Sequence, residues 1–433
     1  MNDALVKIWG KTVGAITWDP SQRRAFFRYD PTFQKNGIEL APLQMPVADS
    51  RVFSFPNLVR VNDFQGLPGL VSDSLPDAYG HKLIDQWLTT QGRPPGSMNP
   101  VEKLCFIGKR GMGALEFEPA ELRPTKVGNL EIDSLVMSAQ KLLNERAEAM
   151  AQLSEEDKEA MEDVIRVGTS AGGARSKAIV AYNPDTRQFK SGQLPADKGF
   201  GHYLLKLDGV KRGEEHLADG LGYGRIEMAY SDMAKAAGIE MMPCLLIEEN
   251  GRAHFMTKRY DREGHNTKHH VQTFAAMNHI DYDLTGSYSY EQIFQNMRML
   301  HMGYPEAEQM YRRMVFNVLG MNRDDHAKNF SFILKQGGAW HLTPAYDITY
   351  AYNPGHPWHS VHATTVNGKT EGITREDLLE VGRKMNIKKA ANVIDEVRTA
   401  IANWPAFAQA YGVEKPKVEA IQKVLSRFAF RQN

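Results

Sequence analysis

Cysteine is nearly absent from this sequence: two in 433 residues, Cys105 and Cys244, both in apolar surroundings and neither at a metal-type spacing. That excludes a disulfide-stapled fold and a cysteine-ligated zinc module, and it points to a reducing compartment. An excess of either charge is missing as well. Lysine plus arginine number 52 and aspartate plus glutamate 52, giving a formal net charge of zero. A chain so balanced does not hold nucleic acid by itself over a broad basic face, although it can add a contact beside a basic partner. No window reaches the uninterrupted apolar length of a membrane helix. The opening MNDALVKIWGKTVG lacks the basic-then-apolar order of a signal peptide. The expectation is a soluble protein of the cytoplasm with no membrane partner.

What the sequence does have is length for two or three domains and one chemically dense stretch. Residues 322–347 read NRDDHAKNFSFILKQGGAWHLTPAYD. Asp324 and Asn329 stand at the Asp-x-x-x-x-Asn spacing of a phosphoryl-transfer catalytic loop. Residues 330–334 and the run before Asp347 read as two strands about a Gly337-Gly338 turn, which would bring Asp347 back beside Asn329. The residue types suit that chemistry. Magnesium ions bridging nucleotide phosphates take hard oxygen ligands, here the Asn329 amide and the Asp347 carboxylate. Asp324 would accept a hydroxyl proton from the acceptor. Taken alone, the spacing also fits ordinary turn residues.

The upstream pieces come in the order such a site needs. Residues 4–9, 12–18 and 24–29 read as strands. A helix starting at Asp73 or Ser74 follows, with Leu83, Ile84, Trp87 and Leu88 on its apolar face. Residues 104–119 read as strand, glycine turn, strand, with Gly111 and Gly113 structural. A helix over 130–149 leads into the acidic SEEDKEAMED, and the main domain boundary is expected near 150–160. Next, VIRVGTSAGGARSKAIVAY sets a glycine-rich loop, 168–175, between β-type runs at 164–167 and 178–182. A Walker loop needs Gly-Lys-Ser/Thr with a helix directly after it, so a hairpin folding over phosphates fits better. Gly172 and Gly173 would let the backbone approach phosphates, and Lys177 at the strand's start would add a positive charge.

Lys206, in HYLLKLDG, is a strand lysine that needs a partner. Glu227, about one turn into a helix at 224–237, is the favoured candidate, with Glu214 and Glu215 competing. A hairpin turns at Glu249-Asn250-Gly251. Its exit, Lys258-Arg259-Tyr260-Asp261, falls where a kinase joins its lobes and the backbone meets adenine. Helices at 290–300 and 307–321 deliver the chain to Asp324. Three more close it: one from the capping-box-like Thr374-x-x-Asp377, one over 387–402 and one over 418–430. Two histidine groups, His265, His269, His270 and His279, then His356, His359 and His362, lack an HExxH arrangement and any cysteine, so their spacing makes no recognisable zinc site. His326 is expected to orient the loop by hydrogen bonding.

Glycine hairpin, strand lysine, helix glutamate, hinge, helical lobe, Asp-x-x-x-x-Asn, β-hairpin and Asp follow the sequence order of a bilobal kinase. In FQGLPGLVSDSLPDAYG, RGMGALEFEP, SAGGARSKA, HYLLK, KRYDR, DDHAKNFSF and LTPAYD the chain resembles HipA-type serine/threonine kinases, the toxins of bacterial toxin–antitoxin pairs. These segments extend over nearly the whole chain. The resemblance implies an α+β, bilobal protein-kinase-like fold: a strand-rich N-terminal subdomain (1–155), a kinase N-lobe with the glycine-rich loop and hinge (156–262), and a largely helical C-lobe (263–433).

It also implies ATP and Mg2+ as cofactors, Asp324 as catalytic base, and Asn329 and Asp347 on the metal. The implied nucleotide site draws on Ser170, Ala171, Gly172, Gly173, Ala174, Arg175, Lys177, Lys206, Lys258, Arg259, Tyr260, His326, Lys328, Asn329 and Asp347. Ser170, with Thr169 beside it, matches the family's self-phosphorylated serine; its added charge would repel the ATP phosphates the loop covers. The implied partners are a HipB-like helix-turn-helix antitoxin dimer, operator DNA reached mainly through it, and a target such as an aminoacyl-tRNA synthetase. Two features depart from ordinary protein kinases: Asp347 is followed by Ile348-Thr349 instead of Phe-Gly, and His326 stands in the loop after the catalytic aspartate. Two other readings are a small-molecule phosphotransferase of aminoglycoside-kinase type and a kinase-shaped corepressor without catalysis. The intact Asp324, Asn329 and Asp347 weigh against the second.

Overall fold

A computed structural model describes residues 1–120, 130–144, 168, 176–193, 195–210 and 221–429. Strand alternation builds the first layer. In β1 (Asp3–Ile8) Ala4, Val6 and Ile8 are buried while Asp3 and Leu5 face out. It pairs antiparallel with β2 (Lys11–Asp19), which pairs with β3 (Arg24–Tyr29). Two helices follow. The first, α1 (Ala78–Thr90), starts at Asp77 and not at Asp73 or Ser74. Pro76 is the reason, because the residue before a proline is pushed away from helical backbone. The second, α2 (Pro100–Ile107), corrects the strand expected from residue 104. Its short apolar run has no period of its own, and the Asn99 cap with Pro100 in the first turn decides for helix. Then β4 (Leu115–Glu118) returns to β1, giving the order β3-β2-β1-β4. Beyond it lies α3 (Ile132–Asn144).

The second sheet comprises β5 (Lys177–Asn183), β6 (Gln188–Ser191) and β7 (Gly201–Lys206), then, after α4 (Tyr223–Ala236), β8 (Cys244–Glu249) and β9 (Arg252–Lys258). Its order is β6-β5-β7-β9-β8, antiparallel throughout. Every residue of β5 is buried, since both faces of the sheet are covered. Tyr79, Leu83 and Leu135 of α1 and α3 pack with Ala178, Val180, Leu205 and Met256, while Met228 of α4 packs with Cys244 and Phe255. Asn250 and Gly251, at φ 46° and 76°, form the two-residue turn that joins β8 to β9.

The helical half contains β10 (His270–Thr273), α5 (Tyr290–Met299), α6 (Tyr304–Leu319), β11 (Ser331–Leu334) and β12 (Trp340–Leu342). Strands β10, β11 and β12 form a three-stranded sheet, with Phe332 opposite both Gln272 and Leu342. Helices α7 (Arg375–Lys384), α8 (Ala390–Ala402), α9 (Trp404–Ala410) and α10 (Lys415–Ala429) end the described chain. Thr374 and Asp377 complete the expected capping box. The short α9 has too few residues to show a period in sequence, yet Trp404 is fully buried, 5.2 Å from the Tyr230 ring of α4. One apolar cluster runs from the N-terminal sheet (Val6, Phe27) through α6 (Met310, Phe316) to α10 (Leu425). The expected domain boundary and the β-type run at 164–167 lie outside the described residues.

Candidate active site

Lys206 ends β7, and its ammonium meets two acids from different halves of the molecule. Glu227 Oε1 of α4 lies 2.5 Å from Nζ, and Asp347 Oδ1 is hydrogen-bonded to it as well. Of the three glutamates weighed for this lysine, Glu227 is in contact with it; Glu214 and Glu215 lie outside the described residues. Asp347 has a left-handed φ of 53°, unusual for a residue with a side chain. Burial would raise its carboxyl, but the adjoining Lys206 outweighs that and holds it at about 2. Asp347 is therefore ionised at neutral pH.

Helix α6 feeds the loop that faces this junction. The Asn322 amide donates to Asn317 Oδ1 at 2.9 Å and to the Asp347 carbonyl at 3.4 Å, which ties the loop's start to the second strand's exit. The Asp324 carboxylate is 45% exposed, with His359 Nε2 at 3.6 Å and His326 Nε2 at 3.8 Å from its Oδ1. Burial raises its carboxyl, yet His326 and His359 together bring it below the usual range. Its neighbour Asp325 points the other way and is buried. Asp325 accepts hydrogen bonds from the Tyr290 hydroxyl at 2.9 Å and the Ala363 N–H at 2.9 Å, with His362 Nδ1 at 3.1 Å. Asn329 donates through Nδ2 to the Asp324 carbonyl at 2.6 Å, which orients the amide and leaves its oxygen as the ligating end. Lys328 reaches Asp63 of the N-terminal half at 3.2 Å. The Tyr346 hydroxyl donates to the Lys328 carbonyl at 2.7 Å, and the Tyr346 ring stacks on Tyr260 at 5.6 Å.

The remaining expected site residues fall in three groups. Lys177 is 2% exposed and its Nζ bonds Asp77 Oδ2 at 2.8 Å, so its charge faces α1 and not open solvent. At the hinge, the Lys258 N–H donates to the Pro243 carbonyl and the Arg259 N–H to the His202 carbonyl, both at 2.9 Å. The Arg259 guanidinium is buried on Asp261 at 2.7 and 2.8 Å, away from any cleft. Arg262 joins it on Asp261 at 2.7 Å, and the Gly113 N–H donates to the same carboxylate at 2.7 Å. Gly111 and Gly113 are thus structural, docked on the hinge. Ser170, Ala171, Gly172, Gly173, Ala174 and Arg175 lie outside the described residues.

Sequence reasoning missed Asp77 and His359, whose partners are distant in the chain. The histidines weighed as ligands make ordinary bonds. His270 meets the Leu40 carbonyl at 2.9 Å, and His279 accepts the Gly69 N–H at 3.0 Å. Among the described residues, no group of three or more His, Cys, Asp or Glu side chains could hold a metal ion, and no helix is long and apolar enough to cross a membrane.

A sheet lobe carrying a lysine–glutamate pair, above a helical lobe that presents Asp324, Asn329 and Asp347, defines an α+β bilobal kinase-like fold. The HipA N-terminal domain matches residues 4–118 and the HipA-like C-terminal domain matches residues 169–404, so the chain belongs to the HipA family. Y4dM of Sinorhizobium fredii (strain NBRC 101917 / NGR234), whose name describes a kinase, is 25% identical over 244 residues. That match takes in 53% of this chain and only 56% of Y4dM's own length. HipA of Shewanella oneidensis MR-1, solved with HipB and operator DNA, superposes with a TM-score of 0.66 at 16% identity. The superposition covers 98% of this chain and 96% of that one, a likeness of fold.

Proposed function

We propose that this chain is an ATP- and Mg2+-dependent serine/threonine protein kinase of HipA type. The observation that carries the reading is Lys206 joined at once to Glu227 and Asp347, with Asp324 on the adjoining loop. The donor set fits a magnesium ion, which one ionised carboxylate, Asp347, and one oriented carboxamide, Asn329, would hold. Bound Mg2+–ATP supplies the γ-phosphoryl group and neutralises its developing charge. The chain's own residues do the rest. Lys206 would hold the phosphates, and the base would meet the hinge through backbone groups of Lys258–Tyr260 other than the Lys258 and Arg259 N–H, which are engaged within the chain. Asp324 accepts the proton of the acceptor hydroxyl as the new O–P bond forms and the bond to ADP breaks. His326 and His359 keep that carboxylate ionised and oriented.

Family membership supports a three-part division, 1–155, 156–262 and 263–433, and self-inactivation through phosphate on Ser170. It also supports neutralisation by a small DNA-binding antitoxin dimer, with operator DNA reached through it; the Shewanella complex holds HipA, HipB and operator DNA. The proposed target class is a translation protein such as an aminoacyl-tRNA synthetase. The test supplies labelled ATP with candidate proteins and, separately, with hydroxylated metabolites. Label on protein, with phosphate on Ser170 by mass spectrometry, is expected. Label on metabolites alone would replace the protein kinase with a small-molecule phosphotransferase, and phosphate confined to Thr169 would overturn the Ser170 assignment.

A further inference from the structure

An acceptor hydroxyl has to reach Asp324, so whatever carries it also meets the surface around that carboxylate. His359 Nε2 stands 3.6 Å from Asp324 Oδ1, and the residue before it is Trp358. Among the described residues Trp358 is the only exposed tryptophan, at 55%. A single exposed apolar side chain means little by itself; the support beneath this one gives it weight. Pro354 and Pro357 fix the backbone on either side of His356. The Asn353 N–H donates to the His359 carbonyl at 3.1 Å, the His356 N–H to the Asn353 carbonyl at 3.0 Å and the Ser360 N–H to the His356 carbonyl at 3.1 Å. Asn353 Oδ1 also accepts the Gly355 N–H at 3.0 Å. The His356 ring stacks on His359 at 4.5 Å and lies 5.5 Å from the Trp358 ring. Three rings thus form a row that ends at Asp324. A second loop closes on the same segment. Its Gly286 N–H donates to the Ala363 carbonyl at 2.9 Å, its Tyr282 ring lies 4.8 Å from His326, and Leu284 between them is 58% exposed.

We propose that Trp358 is a specificity-determining residue of the acceptor site: its indole packs an apolar or aromatic side chain of the protein segment that presents its hydroxyl to Asp324. This role rests on the kinase reading and names the acceptor as an extended polypeptide. A small metabolite is held in a concave pocket that buries most of its surface. Asp324, 45% exposed, and the outward indole form an open shelf instead, which a longer chain can cross. An indole on a loop already ordered binds with little further loss of freedom, and tryptophan is the side chain most often found to anchor such contacts.

Kinetics on the full chain use γ-labelled ATP, Mg2+ and a library of peptides with one fixed serine and randomised flanks, for wild type, Trp358→Ala and Trp358→Phe. Trp358 is exposed, so neither substitution removes a core side chain. Wild type is expected to select an aromatic or aliphatic residue at a flanking position. Trp358→Ala should lose that selection and raise KM for the best peptide about tenfold, while KM for ATP stays within about threefold. Trp358→Phe should recover most of the selection and of the peptide KM, which a merely structural role would not produce. Wild-type labelling without apolar selection would overturn the proposal, and so would an unchanged peptide KM and selection in Trp358→Ala. An equal rise in both KM values would do the same, because the effect would then lie at the nucleotide. Label on whole proteins but on no peptide would end the role of Trp358 and leave the protein kinase standing. Label on hydroxylated metabolites alone would end both. A wild-type chain that binds no nucleotide would remove the kinase reading, and this role with it.

Discussion

Asp324 and Asp325 are neighbours in sequence with opposite surroundings. Asp324 is half exposed between two imidazoles, whereas the Asp325 side chain is 0% exposed and its oxygens bind Tyr290, His362 and the Ala363 N–H. Asp325 therefore fixes the segment that carries His359 and His362 against the catalytic loop. Asp325→Ala is expected to cost about 3 kcal/mol, because it strands buried donors. Denaturant unfolding would show this as a lower midpoint, and an unchanged midpoint would contradict the role. From sequence the two acids are indistinguishable, since only the fold decides which faces the cleft.

At the scale of elements, the hinge shows how the N-terminal half is bound to the kinase fold. Asp261 is buried between the Arg259 and Arg262 guanidiniums, which also donate to the Gly111 carbonyl. Asp261→Asn leaves two buried cations without their counter-charge and should destabilise the fold by about 3–5 kcal/mol. Chemical unfolding checks it, and a wild-type midpoint would show that the network is not needed. Local chemistry was legible in the sequence: the Asn250-Gly251 turn, the Thr374 capping box, and the strand that places Lys206. Residues 104–107 were misread as strand because a short apolar run carries no period, and the helix they end is set by the Asn99-Pro100 start. Asp77 and His359 were not legible at all. Each acts on a partner brought close only by tertiary packing, Asp77 on Lys177 a hundred residues away.

For the molecule as a whole, four imidazoles, two buried (His254, His270) and two half-buried (His81, His279), couple the fold to pH. Burial lowers His254, His270 and His279 to about 4 and His81 to about 3. A histidine whose folded value lies below its free value near 6.5 binds fewer protons folded than unfolded. Stability therefore rises with pH between about 4 and 6.5, and acidification through that window removes it. His270, fully buried, can contribute at most about 3 kcal/mol of this change. Urea unfolding at pH 7 and pH 4.5 should give a clearly lower midpoint at the acid value, and equal midpoints would contradict it.

Phosphoryl transfer at Asp324, beside Asn329 and Asp347, is most directly tested by comparing wild type with Asp324→Gln, each given γ-labelled ATP and Mg2+. Wild type should label protein, and the variant should do so at least about a hundredfold more slowly while still binding nucleotide. Equal labelling by the two would contradict the assignment.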